Sequence, residues 1–489
     1  MRTTESAALA SLAGGRLEGD GSVEVGPDVV VDARRATPGS LFVAIPGERA
    51  DGHDFTGQAS ANGAAAVLAT RATPADLPHL VVTDSVAGLS ELARGLVARE
   101  QERGLVTLAV TGSSGKTSTK DLLAQLLETM GPTVSPLGSF NNEIGVPLTA
   151  CGVDGSTRFL VSEMGARGKG HVAWLCSITR PDIAMVLNVG TAHLGEFGSR
   201  EGIAQAKGEI IEALRPGGWA VLNADDALVA AMAPRTVGRL AWWSREDRSE
   251  AGATPPPGDL HVRATSVTAN ELQQYGFTLE VSRGGTVATH PVQLQQLGSH
   301  QVSNALAALT AAICAGGEPA ALAAAVSRAT ARSRWRMEMT VRADGLAVLN
   351  DAYNANPDSM RAALDSFVTI AEARRRSNPA ARTVAVLGDM LELGEGSGEL
   401  HRELGRQVAR HGLELVAVGE QAGELVAGAR ELGGVATAMG RDEVCGQLAL
   451  DGGDAVLLKA SRGIGLEVVA EQLLGQRGPD DAVTSGDVQ

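Results

Sequence analysis

Cysteine is scarce in this 489-residue chain: there are four, Cys151, Cys176, Cys314 and Cys445, scattered and without a Cys-x-x-Cys pair. That argues against a disulfide framework and a zinc site, and predicts a reducing, cytoplasmic home. No apolar run approaches the roughly 20 residues needed to span a bilayer, so membrane insertion is not expected. The first residues, Met1-Arg2-Thr3-Thr4-Glu5, lead into a short Ala/Leu-rich stretch that lacks the charged start and cleavage pattern of a secretory leader. Positive charge is also in deficit. A formal net charge of −15 leaves no sequence-independent grip on nucleic acid. Anionic ligands must therefore be held by local devices: glycine-rich loops, arginines and metal ions.

Glycine, by contrast, is abundant at 60 residues, and much of it falls at strand-to-helix junctions where tight turns are needed. Hydrophobic residues at 44% and charged residues at 20% describe an ordinary globular chain, and its length suggests about three domains. Residues 1–104 read as a small α/β module, with short apolar runs such as 41–45 and 64–68 split by Pro/Gly turns. Residues 105–338 open with a strand over 105–110, a glycine-rich loop, and a helix carrying Leu122, Leu123, Leu126, Leu127 and Met130 on one face. Further strands at 159–161 and 183–189 alternate with helices, the pattern of a parallel sheet. Residues 251–258 (AGATPPPG) read as a surface loop, and the polar stretch after them as β-rich. From 339 the alternation resumes, with strands over 346–349, 384–387, 415–418 and 455–458, so a second doubly wound, Rossmann-like unit is expected. The polar tail 478–489 is expected to be disordered.

Between the first central strand and its helix lies Thr111-Gly112-Ser113-Ser114-Gly115-Lys116-Thr117. Backbone N–H groups at a glycine turn and a helix N-terminus favour phosphate, Lys116 adds a point charge, and Thr117 can offer its hydroxyl to Mg²⁺. Val110 stands where the full P-loop pattern has its first glycine. Glu163 and His193 each follow a strand, where ligands collect in open α/β sheets; after a P-loop, a metal role is the better reading than a solvated loop residue. Lys207 lies four residues from both Ile203 and Ile211, on the inward face of a helix over 201–214. Two readings stand: a packed stem with a snorkelling ammonium, which the pattern alone favours, or a lysine modified by CO₂ to a metal-bridging carbamate. Asp351 ends a strand, Asn356-Pro357 reads as a helix cap, and Arg334 or Arg336 either snorkels or reaches a phosphate as domains close.

Taken in order, TGSSGKT, NNEIGVP from Asn141, SEMGARGKG, NVGTAHLGEFGS, AQAKGEI around Lys207, GSHQVSNALAA at 298–308, DAYNANPDSM from Asp351 and LGDMLELGEGSGELHRELG resemble the Mur ligase family through nearly the whole chain. Within it, the similarity is to the branch that joins D-alanyl-D-alanine to UDP-N-acetylmuramoyl-tripeptide; the DNPR string of the neighbouring branch does not occur. The resemblance implies an ATP-dependent, amide-forming ligase working through an acyl phosphate, a monomer with small-molecule substrates. Gly112, Ser113, Ser114, Gly115, Lys116, Thr117 and Ser118 would hold the ATP phosphates. Thr117, Glu163, His193 and a carbamylated Lys207 would serve two Mg²⁺ sites. Asn142 and Asn304 would orient the nucleotide, and Arg336 and Asp351 would complete the site from the domain seam. Lys116, Lys207, His193 and Arg336 would act in catalysis. The UDP-sugar would meet Asp32, Arg34, Phe42, Gly47, Asp51 and His53. Ala33 stands where the family usually has serine, so this chain has no hydroxyl to offer the UDP there. Tyr353, Asn354 and Asn356 would meet the dipeptide on the last domain. Two alternatives stay open: a Mur-type ligase with another acceptor, and a P-loop regulatory NTPase.

Overall fold

Three sheets, parallel apart from their edge strands, organise the chain, and each turns the carboxyl ends of its strands toward a chemically charged loop cluster. The computed structural model describes residues 1–47, 50–190, 197–247, 256–394 and 396–475. His193, the tail from 478 and most of the 251–258 loop lie outside the described residues.

The N-terminal sheet has five strands in the order Arg16–Glu18, His79–Val81, Ala66–Ala69, Leu41–Val43, Val29–Val30, and only the first pairs antiparallel. Helix Ser85–Gln101 follows, started by Asp84, whose carboxylate accepts from the Ala87 N–H at 2.7 Å. Its apolar face carries Leu89, Leu92, Leu96 and Val97 into a core shared with Leu160 and Ile178 of the next unit.

The central sheet has nine strands. The first in sequence, Val106–Thr111, sits between Phe159–Glu163 and Ile183–Val186, because the chain runs out to one side and then crosses back to the other. A reversal of this kind opens a crevice at the strand's carboxyl end, and the glycine-rich loop leaves from that point. Ile183–Val186 and Trp219–Asn223 are buried along their whole length, the pattern of strands covered by helices on both faces. Beyond Leu260–Ala269 the sheet continues antiparallel through Gln274–Arg283 and Thr286–Leu297, which is the β-rich polar stretch. Val110 is fully buried in the strand and paired with Glu163 and Met185, so the position of the missing glycine is still sheet. The strand expected over 183–189 stops at Val186, because Asn188 turns from the ladder to bond the glycine-rich loop.

The last sheet has six strands in the order Glu338–Val341, Ala347–Asn350, Ala455–Lys459, Thr383–Gly388, Glu414–Val418, Ala436–Ala438, antiparallel only at the first. Among the described residues, no helix is long and apolar enough to cross a membrane.

One expected ligand contact is corrected here. Phe42 lies in the middle of Leu41–Val43, 1% exposed, among Ala33, Ala36, Ala44, Ala59, Ala64, Val67 and Ala69. It is a core residue with no face for a substrate, and Ala33 fills the same cluster. With only small neighbours to collapse inward, Phe42→Ala should cost about 3–5 kcal/mol of stability, read as a lowered urea midpoint by far-UV circular dichroism.

Candidate active site

The helix Lys116–Glu128 buries Leu122, Leu123, Leu126 and Leu127 and begins at Gly115, whose φ of +79° is left-handed. A side chain at Gly115 would collide with the Asn304 carboxamide, so both backbone shape and space demand glycine. Asn304 is buried, donates to Gln301 Oε1 at 2.9 Å and accepts from Thr119 Oγ1 at 3.4 Å, which fixes it against the loop. Lys116 folds back to donate to the Gly112 carbonyl at 2.8 Å, and burial is the first cause holding its pKa below the ordinary lysine value. Ser113 and Ser114 differ from expectation. Their N–H groups both donate to Asn188 Oδ1 at 3.0 Å rather than facing open space.

Glu163 closes its strand beside this loop. Its Oε1 accepts from Ser139 Oγ at 3.0 Å and Asn141 Nδ2 at 2.8 Å, while Oε2 is buried with no hydrogen-bond partner. An orphaned carboxylate oxygen in a site rich in cations fits a metal ion, since leaving it bare costs free energy. The adjacent asparagines divide their work. Asn141 holds Glu163, whereas Asn142, expected at the nucleotide, turns its Oδ1 to the N–H groups of Gly145 (2.8 Å) and Ile144 (3.3 Å) at a helix start.

Lys207 corrects the snorkelling reading. It is 2% exposed on helix Arg200–Glu212, and burial, followed by the charge of Lys116, holds its pKa well below the ordinary lysine value. The fold has thus brought two depressed lysines, Glu163, Thr117 and the guanidinium of Arg336 into one neighbourhood. Among the described residues, no three His, Cys, Asp or Glu side chains are grouped to hold a metal.

Arg336 arrives from the start of the last sheet. It donates to Thr117 Oγ1 at 2.8 Å, lies 4.0 Å over the Tyr353 ring, and leaves its Nε buried without a partner. Arg334 instead pairs with Glu471 at 3.0 Å. Trp335 and Met337, which bracket Arg336, have φ of +60° and +50°, a conformation that costs a non-glycine residue about 1–2 kcal/mol. The strain is held by three bonds: Trp335 N–H to Glu338 (3.0 Å), Tyr353 N–H to the Trp335 carbonyl (3.2 Å), and Met337 N–H to Asp351 Oδ1 (3.0 Å). Asp351 is also bonded through Oδ2 to the buried Lys459 at 2.6 Å. Its carboxylate clasps protein where a nucleotide contact was expected. Lys459 also donates to the Asn354 carbonyl at 2.9 Å. Asn356 is the helix cap, in a reciprocal box with Ser359, so its side-chain oxygen is taken by protein as well. Tyr353 and Asn354 remain at the seam.

On the N-terminal sheet, Asp32, Arg34, Gly47 and Asp51 lie on loops after the carboxyl ends of Val29–Val30 and Leu41–Val43. Asp32 caps the turn Ala33–Arg35 and pairs with Arg34 at 2.9 Å. The Arg71 guanidinium, at 2.8 Å, is the first cause holding the Asp51 carboxyl far below the usual range. His53 is corrected: it is buried, with Nδ1 on Asp51 at 2.6 Å and Nε2 accepting from Thr70 N–H at 3.0 Å, which leaves no ring nitrogen for a ligand. Residue reading missed Arg71, Asn188 and Lys459, all just after or at the end of a parallel strand. That position was the only signal available.

Comparison with known proteins follows the same three-part division. Residues 28–95 match the Mur ligase family catalytic domain, 110–312 the Mur ligase middle domain, and 335–462 the Mur ligase glutamate ligase domain. The chain is 41% identical over 484 residues to the UDP-N-acetylmuramoyl-tripeptide–D-alanyl-D-alanine ligase of Mycobacterium leprae, covering 91% of this chain and 92% of that one. It is 36% identical to the Escherichia coli enzyme of the same name, over 80% of this chain and 81% of that one. Among solved structures, MurF from Acinetobacter baumannii superposes with a TM-score of 0.81 at 30% identity, covering 97% and 99% of the two chains. MurF from Thermotoga maritima in complex with ADP gives 0.71 at 28% identity, covering 92% and 97%. With sequence similarity along nearly its whole length and a matching three-domain architecture, the chain belongs to the Mur ligase family.

Proposed function

We propose that this protein is an ATP-dependent ligase that adds D-alanyl-D-alanine to UDP-N-acetylmuramoyl-tripeptide, making the UDP-linked pentapeptide precursor of peptidoglycan. It would work as a cytoplasmic monomer. The observation that carries the chemistry is the meeting of Lys116 and Thr117 with Arg336 across two sheets. The choice of substrates rests on the names of relatives that span nine-tenths of the chain.

A carboxylate acylates poorly because its leaving group is oxide. Transfer of the γ-phosphoryl group to the terminal carboxylate of the tripeptide forms a C–O–P bond, breaks the bond to ADP, and leaves an acyl phosphate. The dipeptide amine then attacks the carbonyl and expels phosphate. In the first step two anions must approach, and the residues that offset their repulsion are Lys116, Arg336 and the open N–H groups at the start of helix Lys116–Glu128. Mg²⁺, when bound, supplies further neutralisation between those anions. Glu163 Oε2, Thr117 Oγ1 and a Lys207 carbamate would hold it, with His193 as a further ligand. Arg336 would pass from the Thr117 hydroxyl to the transferring phosphoryl group as the site fills. The UDP portion would lie over the loops that carry Asp32, Arg34, Gly47, Asp51 and Arg71, and the dipeptide against the last domain near Tyr353 and Asn354.

Phosphate release from ATP and Mg²⁺ should depend on both the UDP-tripeptide and D-alanyl-D-alanine, with a UDP-pentapeptide as product. Release indifferent to both would instead favour a regulatory NTPase, and release with another amine in place of the dipeptide would favour the related acceptor.

The carbamate forms when the neutral Lys207 amine adds to CO₂ and loses one proton. Because burial depresses the lysine pKa, more of the amine is neutral at a given pH than in an exposed lysine, and that share is lost as pH falls. Protein equilibrated with ¹³C-bicarbonate should therefore show a carbamate carbon resonance that disappears on acidification and is missing from Lys207→Ala.

Asp351 is proposed to act through Arg336, by holding Met337, rather than on the nucleotide. Asp351→Ala strands the buried Lys459 and should cost about 3–5 kcal/mol, whereas Asp351→Leu with Lys459→Met should recover most of that stability. Arg336 would still be mispositioned in the double variant, so its melting temperature should return without its turnover. Recovery of both would assign Asp351 a purely structural part.

A further inference from the structure

The Asn188 carboxamide bonds the glycine-rich loop from both of its ends. Its Oδ1 accepts from the N–H groups of Ser113 and Ser114, both at 3.0 Å, and its Nδ2 donates back to the Ser114 carbonyl at 3.2 Å. The Asn188 main-chain carbonyl lies 3.2 Å from the Ser113 N–H, and the Gly190 N–H donates to Ser113 Oγ at 2.9 Å. The segment bearing Asn188 is itself tied to the next strand. The Leu187 carbonyl accepts from Asn223 Nδ2 at 2.9 Å, and the Val189 N–H donates to Asp226 Oδ2 at 2.8 Å. Asp226 in turn uses its other oxygen to cap helix Ala227–Ala230, at 3.0 Å from the Leu228 N–H. Three adjacent strand ends are thereby laced together.

From this geometry we infer that Asn188 is a positioning residue: its carboxamide clamps the front half of the glycine-rich loop, so that Ser113 and Ser114 face protein and the N–H groups from Gly115 to Ser118 face phosphate. A loop with many glycine and serine conformers would lose considerable entropy on closing round an anion, and a clamp formed beforehand removes that cost. The alternative, that Asn188 plugs the phosphate site and must be expelled, demands that all of these loop bonds break each time nucleotide enters. It also predicts the opposite sign on mutation.

The inference rests on the ATP reading, and the measurements separate the two. ADP affinity is measured by calorimetry, the Michaelis constants by phosphate release, and loop protection by hydrogen exchange of the peptide containing residues 111–118, all on the full chain. Asn188→Ala should weaken ADP binding and raise the ATP KM by about tenfold, the equivalent of one lost hydrogen bond, with the dipeptide KM within about twofold of wild type. Exchange in the 111–118 peptide should accelerate in the empty protein. Unchanged or tighter ADP binding in Asn188→Ala would overturn the clamp. Should that variant not melt cooperatively, Asn188→Asp decides: it keeps the acceptor but sets an oxygen against the Ser114 carbonyl in place of the Nδ2 donor, so loop exchange in the empty protein should accelerate, and exchange equal to wild type would overturn the proposal. Failure of the wild-type protein to bind ADP would reject the nucleotide reading, while exchange in the empty protein would still test the clamp.

Discussion

The arrangement of this protein turns on one hydrogen bond between units distant in sequence, from Arg336 on the approach to the last sheet to the Thr117 hydroxyl of the glycine-rich loop. A guanidinium is a natural bridge here, because it keeps its charge at any relevant pH and presents several donors in a plane. Its placement is forced. Trp335 and Met337 are both held left-handed without the relief of glycine, and the strain persists only because Glu338, Tyr353 and Asp351 bind their backbones. Asp351 does so as half of a pair with Lys459, so a buried ion pair in the last sheet is bonded to the backbone of the residue next to Arg336. Under the proposal above, the cost of burying that pair would be offset by what it orients.

Electrostatics around the loop are unbalanced in a consistent way. Burial depresses both Lys116 and Lys207, and a neighbouring cation adds to each: Arg336 for the first, against the opposing charge of Glu163, and Lys116 for the second. Glu163 meanwhile keeps one oxygen bare and Arg336 one nitrogen. A protein selected only for stability would not leave four such groups together. In the function proposed above, polyphosphate and a divalent ion would supply the charges that satisfy them, and a carbamate at Lys207 would convert a repelling cation into an anionic ligand. The site is then polarised in advance of its substrates, which is what transfer between two anions requires.

The architecture was largely legible from residue order, because apolar runs bounded by glycine and alternating with amphipathic helices leave few choices for an α/β chain. The loop from Thr111 to Thr117 and the inward face of Lys207 were legible too, whereas Arg334 and Arg336 could not be told apart until the fold set Arg336 on Thr117 and Arg334 on Glu471. What misled was residue type taken without burial. Phe42 and His53 sit in a motif that looks like a ligand surface, yet one is packed in an alanine-lined core and the other spends both ring nitrogens on Asp51 and Thr70. Asn142 was read for its amide, and its oxygen is taken by the Ile144 and Gly145 N–H groups; Asn356 is the helix cap that Asn356-Pro357 led us to expect, a local use that competes with ligand binding for the same atoms. Lys459, Arg71 and Asn188 could not be found by type at all, since their significance comes from which strand ends the fold places side by side.

That last point explains why the three sheets share one plan. In each, the strands deliver their loops to the same edge, so a carboxylate, a cation and an amide from distant parts of the chain meet without any long, costly connection. The N-terminal sheet gathers Asp32, Arg34, Asp51 and Arg71 in this way, the central one Glu163, Asn188 and the glycine-rich loop, and the last one Asp351 and Lys459. Each edge taken alone is an incomplete site: a phosphate cradle without its arginine, or an arginine without its phosphate. Joining a carboxylate to an amine with ATP needs three reactants aligned at once. Dividing them among three edges, as proposed here, with a strained arginine crossing between two, would let binding energy from each unit contribute to that alignment.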